Sequence, residues 1–163
     1  MITSDITYSN KVPACGLMII IVAVLFSSIC LAGSTDELLM AAFNNDINGV
    51  RSHIGKGTPI DTRDRYGKTI LMWAVVNRNF EMARFLLSKG ANVNARDIES
   101  NTVLMWAIVA GNTHIVKYLL DEGANADAKD IYGKTALVLS EERNNKKITA
   151  LLKENASRKK IIK

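Results

Sequence analysis

Along most of this chain the apolar positions return with a period of 33. Gly67-Lys-Thr-Ile-Leu-Met-Trp-Ala74 aligns with Ser100-Asn-Thr-Val-Leu-Met-Trp-Ala107 and with Gly133-Lys-Thr-Ala-Leu-Val-Leu-Ser140. Leu86-Leu87-Ser-Lys-Gly90-Ala91-Asn92 aligns with Leu119-Leu120-Asp-Glu-Gly123-Ala124-Asn125, and residues 67–99 and 100–132 agree at 15 of 33 positions. A fainter copy lies upstream, where Leu38, Ala41, Gly57, Asp61 and Asp64 fall 33 before Leu71, Ala74, Gly90, Asn94 and Asp97. A fixed period of this length is the mark of a solenoid: no unit can bury its apolar stripe alone, and stacking makes the core. Four units follow, 34–66, 67–99, 100–132 and 133–157.

Each unit reads as helix, helix and hairpin-like loop. Thr69, Thr102 and Thr135 stand where a hydroxyl can cap the first helix, which is short, about 70–77 in the second unit. The second helix, about 80–88, carries Met82, Phe85 and Leu86 at helical spacing. Gly57, Gly90 and Gly123 follow these helices, where a left-handed residue is needed to leave them. Gly49 lies inside the second helix of the first unit, at an expected cost of about 1 kcal/mol relative to alanine. The last unit is polar through Glu141-Glu-Arg-Asn-Asn-Lys-Lys147, as suits a terminal cap whose outer face meets water.

The first 33 residues follow another pattern. No charge falls between Val12 and Thr35, and residues 14–32 would span about 28 Å as a helix at about 1.5 Å per residue, close to a bilayer core of about 30 Å. One reading is a cleaved secretory signal, with Leu17–Phe26 as its apolar region and a cut ahead of Gly33. The other is a retained N-terminal membrane anchor. A lipid-modified Cys30 fits poorly, because Ile29 is bulky, and a buried core helix is disfavoured because the segment has no polar face. Lys11 before the segment and Asp36 and Glu37 after it place the rest of the chain outside under either of the first two readings.

The repeated units resemble ankyrin repeats, whose pattern is G-x-T-P-L-H-x-A-A, then a leucine pair, then G-A-x-x-N. The resemblance covers about 120 residues. It departs at the usual proline, here Ile70, Val103 and Ala136, and at the usual histidine, here Met72, Met105 and Val138. The turn into each first helix therefore lacks a residue with fixed φ, and the histidine bond to the cap threonine is missing. The resemblance implies an all-α ankyrin-repeat solenoid of about four helix-turn-helix repeats with hairpin loops, preceded by an N-terminal hydrophobic helix.

Charge changes the picture only by its placement. The net charge is +5, yet residues 36–154 hold 16 Lys/Arg against 15 Asp/Glu. The excess sits in Arg158, Lys159, Lys160 and Lys163, a basic tail over 158–163 expected to be solvated and frayed. A nucleic-acid binder needs cations spread along a face that tracks phosphates, so no nucleic-acid partner is expected. Two cysteines, both in the apolar segment, exclude a disulfide framework.

Candidate chemistry is sparse. The carboxylate pairs Asp61/Asp64 and Asp127/Asp130 recur at the repeat period in a loop, so they read as turn braces and not as an acid–base pair. His53 and His114 occupy no matching positions and have no evident ligand company. Phosphate-loop and nucleophile motifs are absent. No cofactor, metal or catalysis is expected.

The resemblance implies that partners meet the hairpin tips and the open side of the first helices, on a concave face. Carried onto this chain, the tips are Arg65, Tyr66 and Lys68; Ile98, Glu99 and Asn101; and Ile131, Tyr132 and Lys134. Met40, Trp73, Trp106 and Leu139 form one ladder on the first helices. Phe43, Val76 and Val109 form a second, three residues along and so on the same helix face. The tryptophans serve equally well as packing between repeats. The expectation is an exported bacterial ankyrin-repeat protein, a monomer that binds another protein in the periplasm or at the outer face of the cytoplasmic membrane. An inhibitor or immunity-type binder is its sharper form. A membrane-anchored scaffold for an envelope complex is the alternative, and membrane contact would come only through an uncleaved N-terminal segment.

Overall fold

The structure, a computed structural model, describes residues 33–161. The apolar segment read as a signal or an anchor lies outside them. Among the described residues no helix is long and apolar enough to cross a membrane.

The described chain is helical, in pairs. Residues 33–43 form α1. After it come α2 (Ile47–Gly55), α3 (Ile70–Val76), α4 (Phe80–Ser88), α5 (Val103–Ala110), α6 (Thr113–Asp121), α7 (Ala136–Glu142) and α8 (Lys146–Ile161). The odd-numbered helices from α3 stack in a row, α5 lying between α3 and α7, and each packs on the even-numbered helix that follows it. The hairpins between pairs contain only isolated bridges, Arg63 with Thr69 and Arg96 with Thr102.

The cap threonines start the first helices as the repeat pattern predicts. Thr69 Oγ1 accepts from the Met72 N–H at 3.4 Å, Thr102 Oγ1 from Met105 at 3.2 Å and Thr135 Oγ1 from Val138 at 3.5 Å. At the missing-histidine position of the third unit, the Met105 sulfur accepts from the Thr102 N–H at 3.4 Å. The thioether thus closes a reciprocal cap by a weak acceptor. The second helices have caps of their own at one register: Asp46, Asn79, Asn112 and Asn145 each accept from N–H groups two or three residues on. Gly57, Gly90 and Gly123 leave them at φ 88°, 88° and 87°.

Stacking puts the apolar stripes in one core. Leu38, Ile70, Leu71, Met72, Met82, Leu86, Leu104, Met105, Ile108, Ile115, Leu119 and Ile148 are fully buried. Each such side chain contributes about 1.5–3 kcal/mol of transfer free energy. Gly49 sits in tight space: a Cβ there would lie 2.4 Å from Asp46 Oδ2 and 3.1 Å from the Ala41 Cβ, so the intrinsic helix cost of the glycine is set against a contact with the cap side chain. The backbone of the basic tail is helical as far as Ile161, and Arg158 pairs with Glu154 one turn back.

Candidate functional site

Three hairpins build one edge of the solenoid, and one carboxylate organises each. Asp64 Oδ1 accepts from the N–H groups of Tyr66 and Lys68 at 2.8 and 2.9 Å. Asp97 does the same for Glu99 and Asn101, and Asp130 for Tyr132 and Lys134. These are Asx-type turns. The other acidic position links neighbouring units: Asp61 Oδ1 accepts from the Asn92 N–H at 3.0 Å, and Asn94 Oδ1 from Asn125 at 2.8 Å. Arg63 donates to the Arg96 carbonyl, and Arg96 to that of Lys129 at 3.1 Å. The tips are joined directly, Ile98 N–H to the Tyr66 carbonyl at 3.1 Å and Ile131 N–H to the Glu99 carbonyl at 3.0 Å. Asp61, Asp64 and Asp130 therefore act as braces within and between hairpins, whereas the exposed Asp127 contributes only its backbone N–H, to Asn125 Oδ1.

This bracing holds apolar side chains out in water. Tyr66 is 48% exposed, Ile98 67%, Ile131 56% and Tyr132 73%. Arg65 and Glu99 are exposed beside them, whereas Lys68, Asn101 and Lys134 are half-buried. Lys134 turns to Glu142 at 2.8 Å, and that hydrogen bond pushes its ammonium above the usual lysine range.

On the first helices, Met40, Phe43 and Val109 are exposed, and Val76 is half-buried. Trp73 and Trp106 are half-buried, packed against the core yet open on one side, so core packing and surface display are both present. Each indole is tethered to a hairpin carboxylate: Trp73 Nε1 donates to Asp64 Oδ2 at 3.1 Å, and Trp106 Nε1 to Asp97 Oδ2 at 2.9 Å. The Phe43 ring meets the Trp73 ring edge-on at 5.0 Å. Lys68 Nζ lies between the tryptophans, 4.9 Å from the Trp73 centroid and 3.9 Å from the Trp106 centroid.

Two shallow grooves flank that lysine. The first, of about 250 Å³, brings the predicted Arg65, Tyr66 and Trp73 together with Leu39, Met40, Phe43 and Asp64. The second, of about 180 Å³, joins the predicted Asn101, Trp106 and Val109 to Met105 and Arg143. Arg143, the tethering roles of Asp64 and Asp97, and the bridging role of Lys68 escape the sequence reasoning. The nine-residue spacing from Asp64 to Trp73 and from Asp97 to Trp106 is the signal that could have found the tethers. Ile98, Glu99, Ile131, Tyr132 and Lys134 belong to the same hairpin edge but line neither groove.

The two histidines lie elsewhere. His114 stacks on Phe80 at 4.2 Å, with Tyr118 edge-on to the same phenyl at 5.2 Å. His53 Nε2 stands 3.8 Å from Glu37 Oε2, so it does have a carboxylate neighbour, one that no local pattern announces. Among the described residues no three His, Cys, Asp or Glu side chains gather as a metal site would need.

Paired helices on a 33-residue register, linked by braced hairpins, define a protein of the repeat-solenoid class. A family model for ankyrin repeats in three copies matches residues 21–97, 38–130 and 96–162. The chain belongs to the ankyrin-repeat family, whose modules mediate protein–protein interaction and are generally non-catalytic. No curated protein matches the chain closely enough to serve as a relative.

Proposed function

We propose that this chain is an exported binding module that engages a partner protein through its hairpin tips and tryptophan ladder, on the concave side of the solenoid. The observation that carries the reading is the rigid presentation of exposed apolar side chains by hydrogen-bonded hairpins. Ile98 at 67% and Tyr132 at 73% exposure stand on loops fixed at both ends. Preorganised aromatic and aliphatic groups of this kind bind without a large ordering cost. Export rests on the charge-free stretch from Val12 to Thr35 and on the side of it that carries Lys11. On this reading the protein works as a monomer in the periplasm or cell envelope, without cofactor or catalysis. Its small size and lack of reactive motifs suit an inhibitor or immunity-type role, in which a partner enzyme is occluded.

A second reading, a retained anchor with the repeats scaffolding a membrane complex, is favoured by the length of residues 14–32, close to one bilayer core. N-terminal sequencing of the protein isolated from cells separates the two: a start near Gly33 supports the soluble form, a start at Met1 the anchored one. Capture from envelope extract with Tyr66→Ala/Tyr132→Ala against the unaltered chain tests the face itself. Loss of a captured protein is expected, and undiminished capture would remove the tips from the proposal.

A further inference from the structure

Arg65 lines the first groove, Arg143 the second, and Lys68 rests on the indoles of Trp73 and Trp106; none of the three has an acidic partner among the described residues. The ion pairs there are His53–Glu37, Lys134–Glu142, Lys153–Glu141 and Arg158–Glu154. Arg65 lies 4.9 Å from the ring of its neighbour Tyr66, and Lys68 rests on the two indoles. Arg143 makes only a long 3.5 Å contact to the Val109 carbonyl. The acids of the hairpins beside them are committed: both oxygens of Asp64 and of Asp97 accept hydrogen bonds from the hairpin N–H groups and the indoles, and Glu99 Oε2 accepts from Asn101 Nδ2 at 3.2 Å. A cation over an aromatic face keeps its charge available to a second ligand on its open side.

We infer that the partner segment seated on this ladder carries two bulky apolar side chains flanked by carboxylates. This inference rests on the protein-binding reading above and gives it a partner chemistry. One apolar anchor enters the groove of Met40, Phe43, Tyr66 and Trp73, and the other the groove of Met105, Trp106 and Val109. Carboxylates of the segment meet Arg65 and Arg143 at the two ends and Lys68 in the middle. An anionic membrane surface is the weaker match. Residues 61–69, 94–102 and 127–135 carry six Lys/Arg and six Asp/Glu, so the hairpin edge as a whole has no net positive charge to bring it to lipid.

The test uses the full chain and two probe peptides, Gly-Glu-Asp-Phe-Glu-Asp-Leu-Glu-Gly and its twin with lysine at every acidic position. The chain has two tryptophans, so the two indole N–H signals in a nitrogen-15 NMR spectrum report the ladder directly. The acidic peptide is expected to shift both signals and to bind about three- to fivefold more weakly for each cation removed, in Arg65→Gln and Arg143→Gln, with the loss shrinking at high salt. Equal binding of the lysine twin would overturn the acidic partner while leaving the ladder a binding face. Indole signals that neither peptide moves would overturn the inference outright.

Discussion

The indole N–H of Trp106 donates to Asp97 Oδ2 at 2.9 Å, tying the exposed edge of the first helix to the hairpin that precedes it. Trp73 and Asp64 repeat the relationship one unit earlier at 3.1 Å. In the last unit the ladder position is Leu139, so Asp130 braces its turn without an indole to hold. Asp97→Ala removes the acceptor for two backbone N–H groups and the tryptophan and is expected to cost about 1–3 kcal/mol. Asp130→Ala should cost less, and chemical denaturation of the two variants checks the order.

The cap threonines grade the strength of the first turns. Thr102 is buried with the shortest bond, 3.2 Å, Thr69 is buried at 3.4 Å, and Thr135 is half-buried at 3.5 Å. Replacing a cap of this kind costs about 0.5–2 kcal/mol. Thermal melts of the three Thr→Ala variants are expected to rank Thr102 as the most damaging and Thr135 as the mildest.

Much of this architecture is legible in the amino-acid sequence. Periodicity alone specifies the helix pairs, because an apolar stripe at one register can be buried only by its neighbours. The threonines and glycines mark helix starts and ends because their side chains, or the lack of one, meet needs of the backbone at those points. The tips Tyr66, Ile98, Ile131 and Tyr132 read as exposed because no core lies within their reach. What stays hidden depends on contacts between units. The placement of Lys68 between two rings 33 residues apart has no local signature. The turn before each second helix is equally hard to read, because its left-handed position is held by Asn45, Arg78, Gly111 and Asn144, four residues of three kinds.

Gly49 inverts a simple helix-propensity argument. In an exposed helix, Gly→Ala gains about 1 kcal/mol. Here the added methyl would meet the cap carboxylate of Asp46 and the Ala41 side chain. Gly49→Ala is expected to lower the unfolding midpoint, and a rise of several degrees would show that the first unit repacks freely.

Ser100 takes the left-handed place that glycine fills at 67 and 133, with φ 62°. A side chain in that region costs about 1–2 kcal/mol, partly offset by the greater freedom of glycine when unfolded. Ser100→Gly is therefore expected to stabilise the protein by about 0.5–1 kcal/mol in urea titration. Gly67→Ser should do the opposite, because its Cβ would stand 3.0 Å from the backbone nitrogen of Ile98.

Tyr118 ties stability to alkaline pH. Burial first, and then the Glu122 carboxylate, push its phenol above the usual tyrosine range. The folded protein thus holds this proton more tightly than the unfolded chain. The resulting stability is complete below pH about 10 and is lost as pH rises through the folded value. Absorbance titration at the tyrosinate band should show the Tyr118 phenol ionising later in the folded than in the unfolded protein, and Glu122→Gln should bring its titration earlier.

The binding face itself is tested most directly by photo-crosslinking in living cells. A benzophenone side chain is placed at 66 or 132 on the tips, or at 84 or 117, exposed positions on the second helices. Adducts to a partner protein from 66 and 132, with none from 84 and 117, are the predicted result. Adducts from 84 and 117 with silence at the tips would contradict it.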